Sequence, residues 1–448
     1  MANTSIFRNI ASTGNADICT ISCWFKRGTL GAEQALFGGW RSSTTRFQVR
    51  FQSSDNIDVE WGYSSSWYSL VTNRKFRDPS AWMHLVLAID STQGTPANRA
   101  KLYINGVQET SFSTENYMPQ NNDTLMTTSG DEMIVGGANS SASSGAGNHS
   151  NWFKGEQSHF QFVDGLQLAP TEFGETDSTS GIWKIKTTAY ATPGTNGFFL
   201  TMEDSTNMDL DSSSNSLTFT TEGTLTSTKD NPSNNFATMN SLDNYWFGGT
   251  FTNGNTTTAS PSSTYAMCTS TLGMASGKYY AEAKLSAGYP QLKFGITCKP
   301  AWAANETMAF SGSTCYSGSN GALVLDGVTT VGWGSNFAVG DIIGIAVDLD
   351  NNRIYFSVNG TWQNSANPSS GTGSETIVSA SSTSTGNYFF SWSDNHGSAG
   401  STMQYNFGNG YFGTTAITSA GTNASGNGDF EYDVPTGFTA LCTKGINS

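Results

Sequence analysis

This 448-residue sequence has little charge, since Asp, Glu, Lys and Arg together make up only 12% of it. Helical proteins depend on Ala, Leu, Glu, Lys and Arg, so this shortage excludes a predominantly helical fold. The chain instead contains 49 glycines, 12% aromatic residues and much Ser, Thr and Asn. Short strands separated by polar turns have this composition. We therefore expect an all-β fold.

Positive charge is also scarce, with 21 Lys and Arg against 35 Asp and Glu, a net charge of −14. Affinity for nucleic acid comes largely from Lys and Arg, and no basic cluster is present, so nucleic acid is excluded as a partner. No apolar run is long enough to span a membrane, and the first ten residues contain no apolar signal core. We expect no membrane insertion and synthesis in a cytoplasm without a signal peptide.

Metal-binding patterns of cysteine and histidine are missing. The six cysteines show no C-x-x-C spacing, which excludes the common zinc sites and predicts free, buried thiols. The four histidines form neither H-x-H nor H-E-x-x-H, so no zinc hydrolase is indicated. His84, in W-M-H-L-V, is expected to be structural.

Two stretches, 82–108 and 341–362, share one plan. Each has an apolar strand ending in Asp, a polar turn and a second strand that stops at Asn-Gly. The runs 85–89 and 342–347 are nearly continuous in apolar residues, as in strands buried on both faces. Asn-Gly supplies the positive φ that tight hairpin turns require. The repeated plan predicts two sheet-rich domains of related architecture.

Composition changes divide the chain into three parts. Residues 1–172 and 241–448 are rich in strand patterns, whereas residues 173–240 form a connector rich in Ser, Thr and Asn. The partly apolar tail, 430–441, is expected to dock back onto a sheet.

The residues of both domains resemble known families. I-S-C-W-F-K-R (21–27), L-F-G-G-W (36–40), W-M-H-L-V (82–86) and L-Y-I-N-G (102–106) resemble the laminin-G-like branch of the concanavalin A-like lectins and glucanases. G-K-Y-Y-A-E (277–282), F-G-I (294–296) and the segment 347–360 are similar to SPRY domains of the same sandwich superfamily. The resemblance implies two concanavalin A-like jelly-roll β-sandwich domains joined by the connector.

The junction segments resemble structural proteins of tailed phages, particularly marine and cyanobacterial ones. These segments are 162–177 with Trp183 and Lys184, 234–244 and 434–443. The resemblance implies a protein of the virion surface whose partners are other virion proteins. We expect a non-enzymatic, fibre-type appendage that recognises host surface glycans, assembled as a homo-oligomer, with a trimer as the working hypothesis. The alternative is a capsid decoration or head-fibre protein with an architectural role.

Carbohydrate binding needs exposed aromatic rings beside polar groups. Two segments combine both features, the hairpin 61–68 and the strand end 392–396, although burial of many of these rings in the core is the simpler interpretation. The candidate glycan-binding residues are Trp61, Tyr63, Trp67, Tyr68, Trp392, Asp394 and His396.

A calcium site is a further hypothesis, because Asp348, Asp350 and Asn352 bring oxygen donors to one turn. An ordinary Asp/Asn hairpin turn explains the same residues without a metal.

A polysaccharide depolymerase is the third functional hypothesis, because glucanases share this fold. A retaining glycosidase needs carboxylates at period-two spacing on one strand face. Asp58 and Glu60 have this spacing, as do Glu175 with Asp177 and Glu431 with Asp433, but no third Glu follows. We interpret Asp58 and Glu60 as solvated charges at a sheet edge.

Overall fold

The computed structural model describes residues 3–243, 245–246, 248–261, 265–299, 308–394 and 400–447. The described chain is nearly all β, as predicted, and divides into two compact units, Met1–Ser227 and Thr228–Ser448. Among the described residues, no helix has the length and hydropathy needed to cross a membrane. All six cysteines are free and buried, which confirms the sequence prediction.

Over residues 3–227, unit 1 contains 18 strands, one short helix and a 3-10 turn. They are β1 (Ser5–Asn9), β2 (Ile18–Arg27), β3 (Gln34–Ser42), β4 (Thr45–Phe51), β5 (Asn56–Tyr63), β6 (Ser66–Lys75), β7 (Met83–Asp90), α1 (Pro96–Arg99), β8 (Ala100–Ile104), β9 (Val107–Gln108), β10 (Phe112–Asn116), β11 (Glu132–Val135), β12 (Ala138–Asn139), β13 (His149–Ser150), β14 (Gly155–Asp164), the 3-10 turn Pro170–Glu172, β15 (Gly174–Thr176), β16 (Trp183–Ile185), β17 (Phe198–Leu200) and β18 (Thr220–Glu222).

These strands form a sandwich of two large antiparallel sheets. One has eight strands in the order β10-β6-β5-β4-β3-β11-β1-β18, and the other has six in the order β17-β14-β2-β7-β8-β9. The core lies between them, where Phe37 of β3 packs on Phe160 of β14 with ring centroids 5.2 Å apart. The predicted hairpin is confirmed, because β7 pairs with β8 and Asn105 and Gly106 have positive φ.

The structure divides the predicted connector between the two units. Strand β17 pairs with β14 at the edge of the six-stranded sheet, and β18 pairs with β1 at the edge of the eight-stranded sheet. Glu222 of β18 also places its Oε2 atom 2.5 Å from Nδ1 of the buried His149. Much of the predicted connector is therefore ordered because its short strands pair with the edges of the two sheets. It has no apolar pattern that would predict this order.

A segment after β14 covers the outer face of the six-stranded sheet. Its hairpin β15–β16 places Trp183 over His84, with near-parallel rings 6.0 Å apart, while Trp24 stacks on His84 at 4.8 Å. The Trp183 Nε1 atom donates to His84 Nδ1 at 3.0 Å, so His84 Nε2 carries the proton and donates to Ser22 Oγ at 2.8 Å. His84 is structural, as predicted, and burial lowers its pKa to about 3.

The described residues of unit 2 form a further 18 strands, one short helix and two 3-10 turns. They are β19 (Tyr245–Trp246), β20 (Thr250–Thr252), β21 (Thr257–Ala259), β22 (Ala266–Thr269), β23 (Lys278–Ala287), β24 (Lys293–Thr297), β25 (Ser313–Ser317), β26 (Ala322–Leu325), β27 (Val328–Thr330), β28 (Ile342–Asp348), β29 (Arg353–Val358), β30 (Thr361–Trp362), the 3-10 turn Gln363–Ser365, β31 (Glu375–Thr376), the 3-10 turn Ala380–Ser382, β32 (Phe389–Asp394), β33 (Thr402–Asn406), β34 (Tyr411–Phe412), β35 (Thr415–Ala416), β36 (Thr439–Ala440) and α2 (Thr443–Ile446).

Unit 2 is also a sandwich. Its seven-stranded sheet has the order β19-β22-β32-β24-β25-β26-β27. Its nine-stranded sheet follows the path β20-β21-β33-β23-β28-β29-β30, with β31 and β36 attached to β29 and β23. The core joins the sheets, for example where Tyr316 of β25 stacks on Phe356 of β29. The second predicted hairpin is confirmed, because β28 pairs with β29 and Asn359 has positive φ.

The C-terminal tail covers the outer face of the nine-stranded sheet, which confirms its predicted docking. Phe430 packs on Tyr280 of β23 with ring centroids 5.0 Å apart. The buried carboxylate of Glu282, also on β23, accepts hydrogen bonds from the backbone N–H groups of Glu431 and Tyr432, both at 2.9 Å. Burial raises the pKa of Glu282 to about 7, and these donors act in the opposite direction.

The lowered pKa of His84 predicts that unit 1 loses stability in acid. The folded-state pKa lies below the usual 6.5, so the stabilisation is present above pH 6.5 and is lost as the pH falls towards 3. Between pH 7 and pH 4 the unfolding free energy of the wild type should therefore fall by roughly 2–4 kcal/mol more than that of His84→Gln, which has no group titrating at this position. Urea unfolding of both proteins between pH 7 and pH 4 measures this difference. Identical pH slopes would show that His84 does not contribute.

Candidate functional site

The outer face of the eight-stranded sheet presents polar side chains in register. Residues directly opposite each other in antiparallel strands share a face. Across β4, β5 and β6 the pairings therefore form three outward rows, which are Arg46–Gly62–Trp67, Gln48–Glu60–Ser69 and Arg50–Asp58–Val71. The intervening residues, such as Val49, Val59 and Leu70, are buried in the core. We call Arg46, Gln48, Arg50, Asp58, Glu60, Trp67 and Ser69 the outer-face patch.

Arg50 is the centre of the patch. Its Nη2 atom contacts Asp58 Oδ2 at 3.0 Å and Glu60 Oε2 at 2.9 Å. Ser69 Oγ donates to Asp58 Oδ1 at 2.6 Å, and Gln48 Nε2 donates to Glu60 Oε1 at 2.9 Å. One guanidinium thus holds two carboxylates side by side in the middle of the sheet, and their remaining oxygens are also engaged.

Trp67 forms the aromatic side of the patch. Its ring lies over Gly62, where a Cβ atom would be 2.3 Å from Cζ3 of the indole. The guanidinium carbon of Arg46 lies 4.5 Å from the ring centroid on Trp67, a cation–π distance. Trp67 nevertheless remains 41% exposed. A rigid, partly exposed ring beside a polar network is what sugar stacking requires.

Two polar atoms of the patch have no hydrogen-bond partner within the described structure, Nε of Arg46 and Oε1 of Gln48. Gln48 is only 2% exposed. Burial raises the pKa of Glu60 and lowers that of Arg46, with the two groups opposing these shifts in each other. Both unpartnered atoms are buried beneath the surface of the patch, so its exposed part is the Trp67 ring and the edges of the ion-pair network.

The structure corrects part of the predicted aromatic site. The ring of Trp61 is fully buried in the core and packs on Phe47, so Trp61 is not available for stacking on a ligand. Tyr68, opposite Trp61, also packs against the core. Tyr63 is exposed at the end of the same hairpin. Of the four predicted residues, Trp67 and Tyr63 reach the surface.

The interpretation of Asp58 and Glu60 as edge charges is wrong. Strand β5 lies between β4 and β6, so both carboxylates are internal to the sheet, and Asp58 is nearly inaccessible. Sequence reasoning also missed Arg46, Gln48 and Arg50. Their alternation with Phe47, Val49 and Phe51 was a signal for an outward polar face.

At the second predicted glycan site, the strand end 392–396, the aromatic residue is not exposed. Trp392 is buried in the core of unit 2. Asp394 is buried as well, and its Oδ2 atom accepts a hydrogen bond from Ser260 Oγ at 2.5 Å. His396 lies outside the described residues. Alternating strand geometry explains the burial, because Trp392 and Phe390 share the inner face of β32.

The candidate calcium turn is held together by protein donors. Asp348 Oδ2 contacts the ammonium of Lys278 at 3.0 Å and the side-chain amide of Asn351 at 2.9 Å. Asp350 accepts from the backbone of Gly277 at 2.8 Å, and Asn352 closes the turn with a φ of 56°. Lys278 already supplies the positive charge beside Asp348, so the hairpin-turn interpretation accounts for these residues. Among the described residues, no cluster of His, Cys, Asp and Glu suits a metal ion.

Comparison with known families concerns the first third of the chain. Residues 5–156 match the concanavalin A-like lectin/glucanases superfamily. This part of unit 1 is therefore similar to the superfamily that the sequence of the N-terminal domain resembles. No curated protein matches the chain.

Three solved structures are similar to parts of the chain at low identity. The human HERC1 SPRY domain is 15% identical, covering 37% of this chain and 96% of that domain, with a TM-score of 0.28. A native heptameric SAP-like pentraxin from Limulus polyphemus is 12% identical, covering 36% and 70%, with a TM-score of 0.27. Domain 4 of AbnA, a GH43 extracellular arabinanase from Geobacillus stearothermophilus, is 23% identical, covering 35% and 65%, with a TM-score of 0.27.

Removing the central cation should destabilise unit 1. Arg50→Met leaves Asp58 and Glu60 adjacent without the cation that they share, so we expect a loss of roughly 2–4 kcal/mol in unfolding free energy, measured by urea denaturation. The triple variant Arg50→Met/Asp58→Asn/Glu60→Gln should recover most of this loss.

Arg74→Met is the control for the Arg50 variant, because Arg74 lies on β6 of the same sheet and pairs with Glu109 at the surface. We expect it to cost less than about 1 kcal/mol. Equal effects of the two single substitutions would contradict a central role for Arg50.

Proposed function

We propose that this protein is a non-enzymatic glycan-binding component of a tailed-phage virion surface, and that the outer-face patch of unit 1 is its binding site. The observation that carries the proposal is the exposed Trp67 ring fixed beside the Arg50 network. Sugar rings stack on such indoles while their hydroxyl groups hydrogen-bond to neighbouring polar side chains. The superfamily of residues 5–156, which includes lectins, supports recognition of carbohydrate.

The charges of the patch favour a neutral glycan. Arg50 is paired with Asp58, Glu60 and Glu33, and Arg46 lies between Trp67 and Glu60. Two cations thus face three carboxylates, on a protein whose net charge is −14. A sugar carboxylate or sulfate would have to displace an existing ion pair. A neutral sugar instead stacks on the exposed ring of Trp67 without displacing an ion pair.

Binding explains the paired carboxylates better than hydrolysis does. Asp58 and Glu60 contact the same Nη2 atom, at 3.0 and 2.9 Å, so the two carboxylates are adjacent, as they are in a retaining glycosidase. Such an enzyme needs one of the two to carry a proton for the leaving group. Both catalytic roles require access to the sugar, but Asp58 is nearly inaccessible and its two oxygens are engaged by Arg50 and Ser69. The patch is therefore assigned to binding.

The virion assignment rests on the phage resemblance of segments 162–177, 234–244 and 434–443 and on the acidic, Ser/Thr/Asn-rich composition. In this proposal the protein is a fibre-type appendage, assembled as a homo-oligomer with a trimer as the working hypothesis. Its partners are other virion proteins and a host surface glycan. A capsid decoration or head-fibre protein is the alternative within the same virion assignment.

Replacing Trp67 should abolish glycan recognition without affecting folding. We expect Trp67→Ala to weaken binding of a neutral glycan at least tenfold on a glycan array and by calorimetry, because the stacking surface is lost. Tyr289→Ala is a matched control, since Tyr289 is an exposed aromatic residue of unit 2, at 49%. Unchanged affinity in Trp67→Ala would exclude the patch as the site. If the protein prefers sulfated or uronic-acid glycans, the proposed preference for neutral glycans is wrong, but the patch can still be the binding site.

Binding to host cells distinguishes a fibre from a decoration protein. We expect purified protein to bind intact host cells saturably and to reduce phage adsorption, whereas Trp67→Ala does neither. EDTA should leave binding unchanged, because Lys278 neutralises Asp348 in the candidate calcium turn. If folded protein that binds glycans on an array fails to bind cells, the decoration role is favoured.

A further inference from the structure

The sandwich of unit 2 is open at one edge. Strand β27 ends the seven-stranded sheet, and its cross-strand pairs are Leu325–Val328 and Leu323–Thr330. Leu323 is buried in the core, so Val328 and Thr330 lie on the inner face with it. Val328 is nevertheless 70% exposed. An aliphatic side chain at an inner-face position therefore has no covering layer.

This open edge is the wall of a cleft. A cavity of about 440 Å³ lies between β26–β27 on one side and residues 375–378 on the other, with Trp333 and Tyr388 in its lining. A second cavity of about 580 Å³ adjoins it and shares Gly312, Asp326, Val378 and Tyr388. The two cavities form one groove, which we call the β27 cleft.

The β27 cleft combines aliphatic and acidic groups. Val378, which is 45% exposed, lines it together with Val328. Glu375 Oε1 accepts from Trp333 Nε1 at 2.7 Å, and Asp326 Oδ1 accepts from Ser311 Oγ at 2.9 Å. Lys299 lines the second cavity, where its ammonium lies 4.1 Å from the centroid of the Phe310 ring. The smaller cavity, next to β27, is lined by both carboxylates and by apolar surface, and its described lining contains no Lys or Arg.

The edge of β27 also presents free backbone groups. Asp326 and Gly327, both with positive φ, form the two-residue turn between β26 and β27. In such a hairpin the flanking residues Leu325 and Val328 exchange hydrogen bonds with each other. The N–H and C=O of the next residue, Thr329, therefore point away from β26. A further extended strand can pair at this position.

We propose that the β27 cleft binds an extended peptide segment of a partner protein, one that carries an aliphatic and a basic side chain. The peptide backbone pairs with β27 at Thr329, its aliphatic side chain covers Val328 and Val378, and its Lys or Arg approaches Asp326 and Glu375. The charge of the cleft selects the basic residue, and the exposed strand edge selects a polypeptide over a sugar. This site is independent of the outer-face patch in unit 1.

Selection from a displayed library of random nonapeptides tests the proposal with the full-length protein. We expect enrichment of sequences that combine Val, Ile or Leu with Lys or Arg, and an affinity that falls as salt is raised. The variant Asp326→Asn/Glu375→Gln should bind the selected peptides at least tenfold more weakly. It keeps the fold, because Asn tolerates the φ of 48° at position 326 and Gln still accepts from Trp333.

A matched pair of valine substitutions locates the site. Val328→Asp should abolish binding of the selected peptides, whereas Val107→Asp, at an equally exposed valine on an edge strand of unit 1, should leave it unchanged. Enrichment no greater than on a surface without protein would overturn the proposal. So would selected peptides that bind the double variant or Val328→Asp as tightly as they bind the wild type.

Discussion

Each unit depends on a buried polar side chain that fastens a chain segment to the outer face of one sheet. In unit 1, His84 accepts the indole N–H of Trp183 and is stacked between two tryptophans. In unit 2, Glu282 accepts two backbone N–H groups of the C-terminal tail. A strand buried on both faces can be apolar along its whole length. It needs a polar side chain only where a covering segment brings a buried N–H group, because a buried N–H group without an acceptor lowers the stability of the fold. These two polar residues therefore determine which sheet face is covered in each unit.

The faces that remain uncovered carry the candidate sites. In unit 1 the eight-stranded sheet turns Arg50 and its carboxylates outward, and their mutual pairing makes an ordered polar surface possible without a second layer. In unit 2 the uncovered region is the edge at β27, where Val328 lacks the partner that its inner-face position requires. The first surface is satisfied internally apart from two atoms, and the second is incomplete. A rigid patch suits recognition of a preformed sugar, and an incomplete edge suits addition of a strand.

The sequence predicted the fold better than it predicted the site. Both hairpins, their Asn-Gly turns and the docked tail followed from local patterns and were found in the structure. Strands β17 and β18 are three residues each and pair with strands far away in sequence, so no local pattern reveals them. The patch was accessible to sequence reasoning, because Trp61 shares its face with Val59 and Ile57, which leaves Trp67, Asp58 and Glu60 on the other face. The four aromatic residues of this hairpin were predicted together as candidates for glycan binding. The alternation of side chains along each strand separates those that face the core from those that face solvent.

The negative charge of the chain bears on both proposed ligands, the neutral glycan and the basic peptide. The chain has 35 acidic and 21 basic residues, and the cations discussed here are bound to carboxylates of the same unit, as with Arg50 and Lys278. A field of this sign repels polyanions at long range and attracts cations, and low-dielectric clefts concentrate it. A neutral sugar experiences no net force from this field, so its recognition depends on stacking and hydrogen bonds at the patch. A basic peptide is attracted towards Asp326 and Glu375 before contact. The same acidic composition is thus compatible with both sites, and it would oppose an anionic ligand at either one.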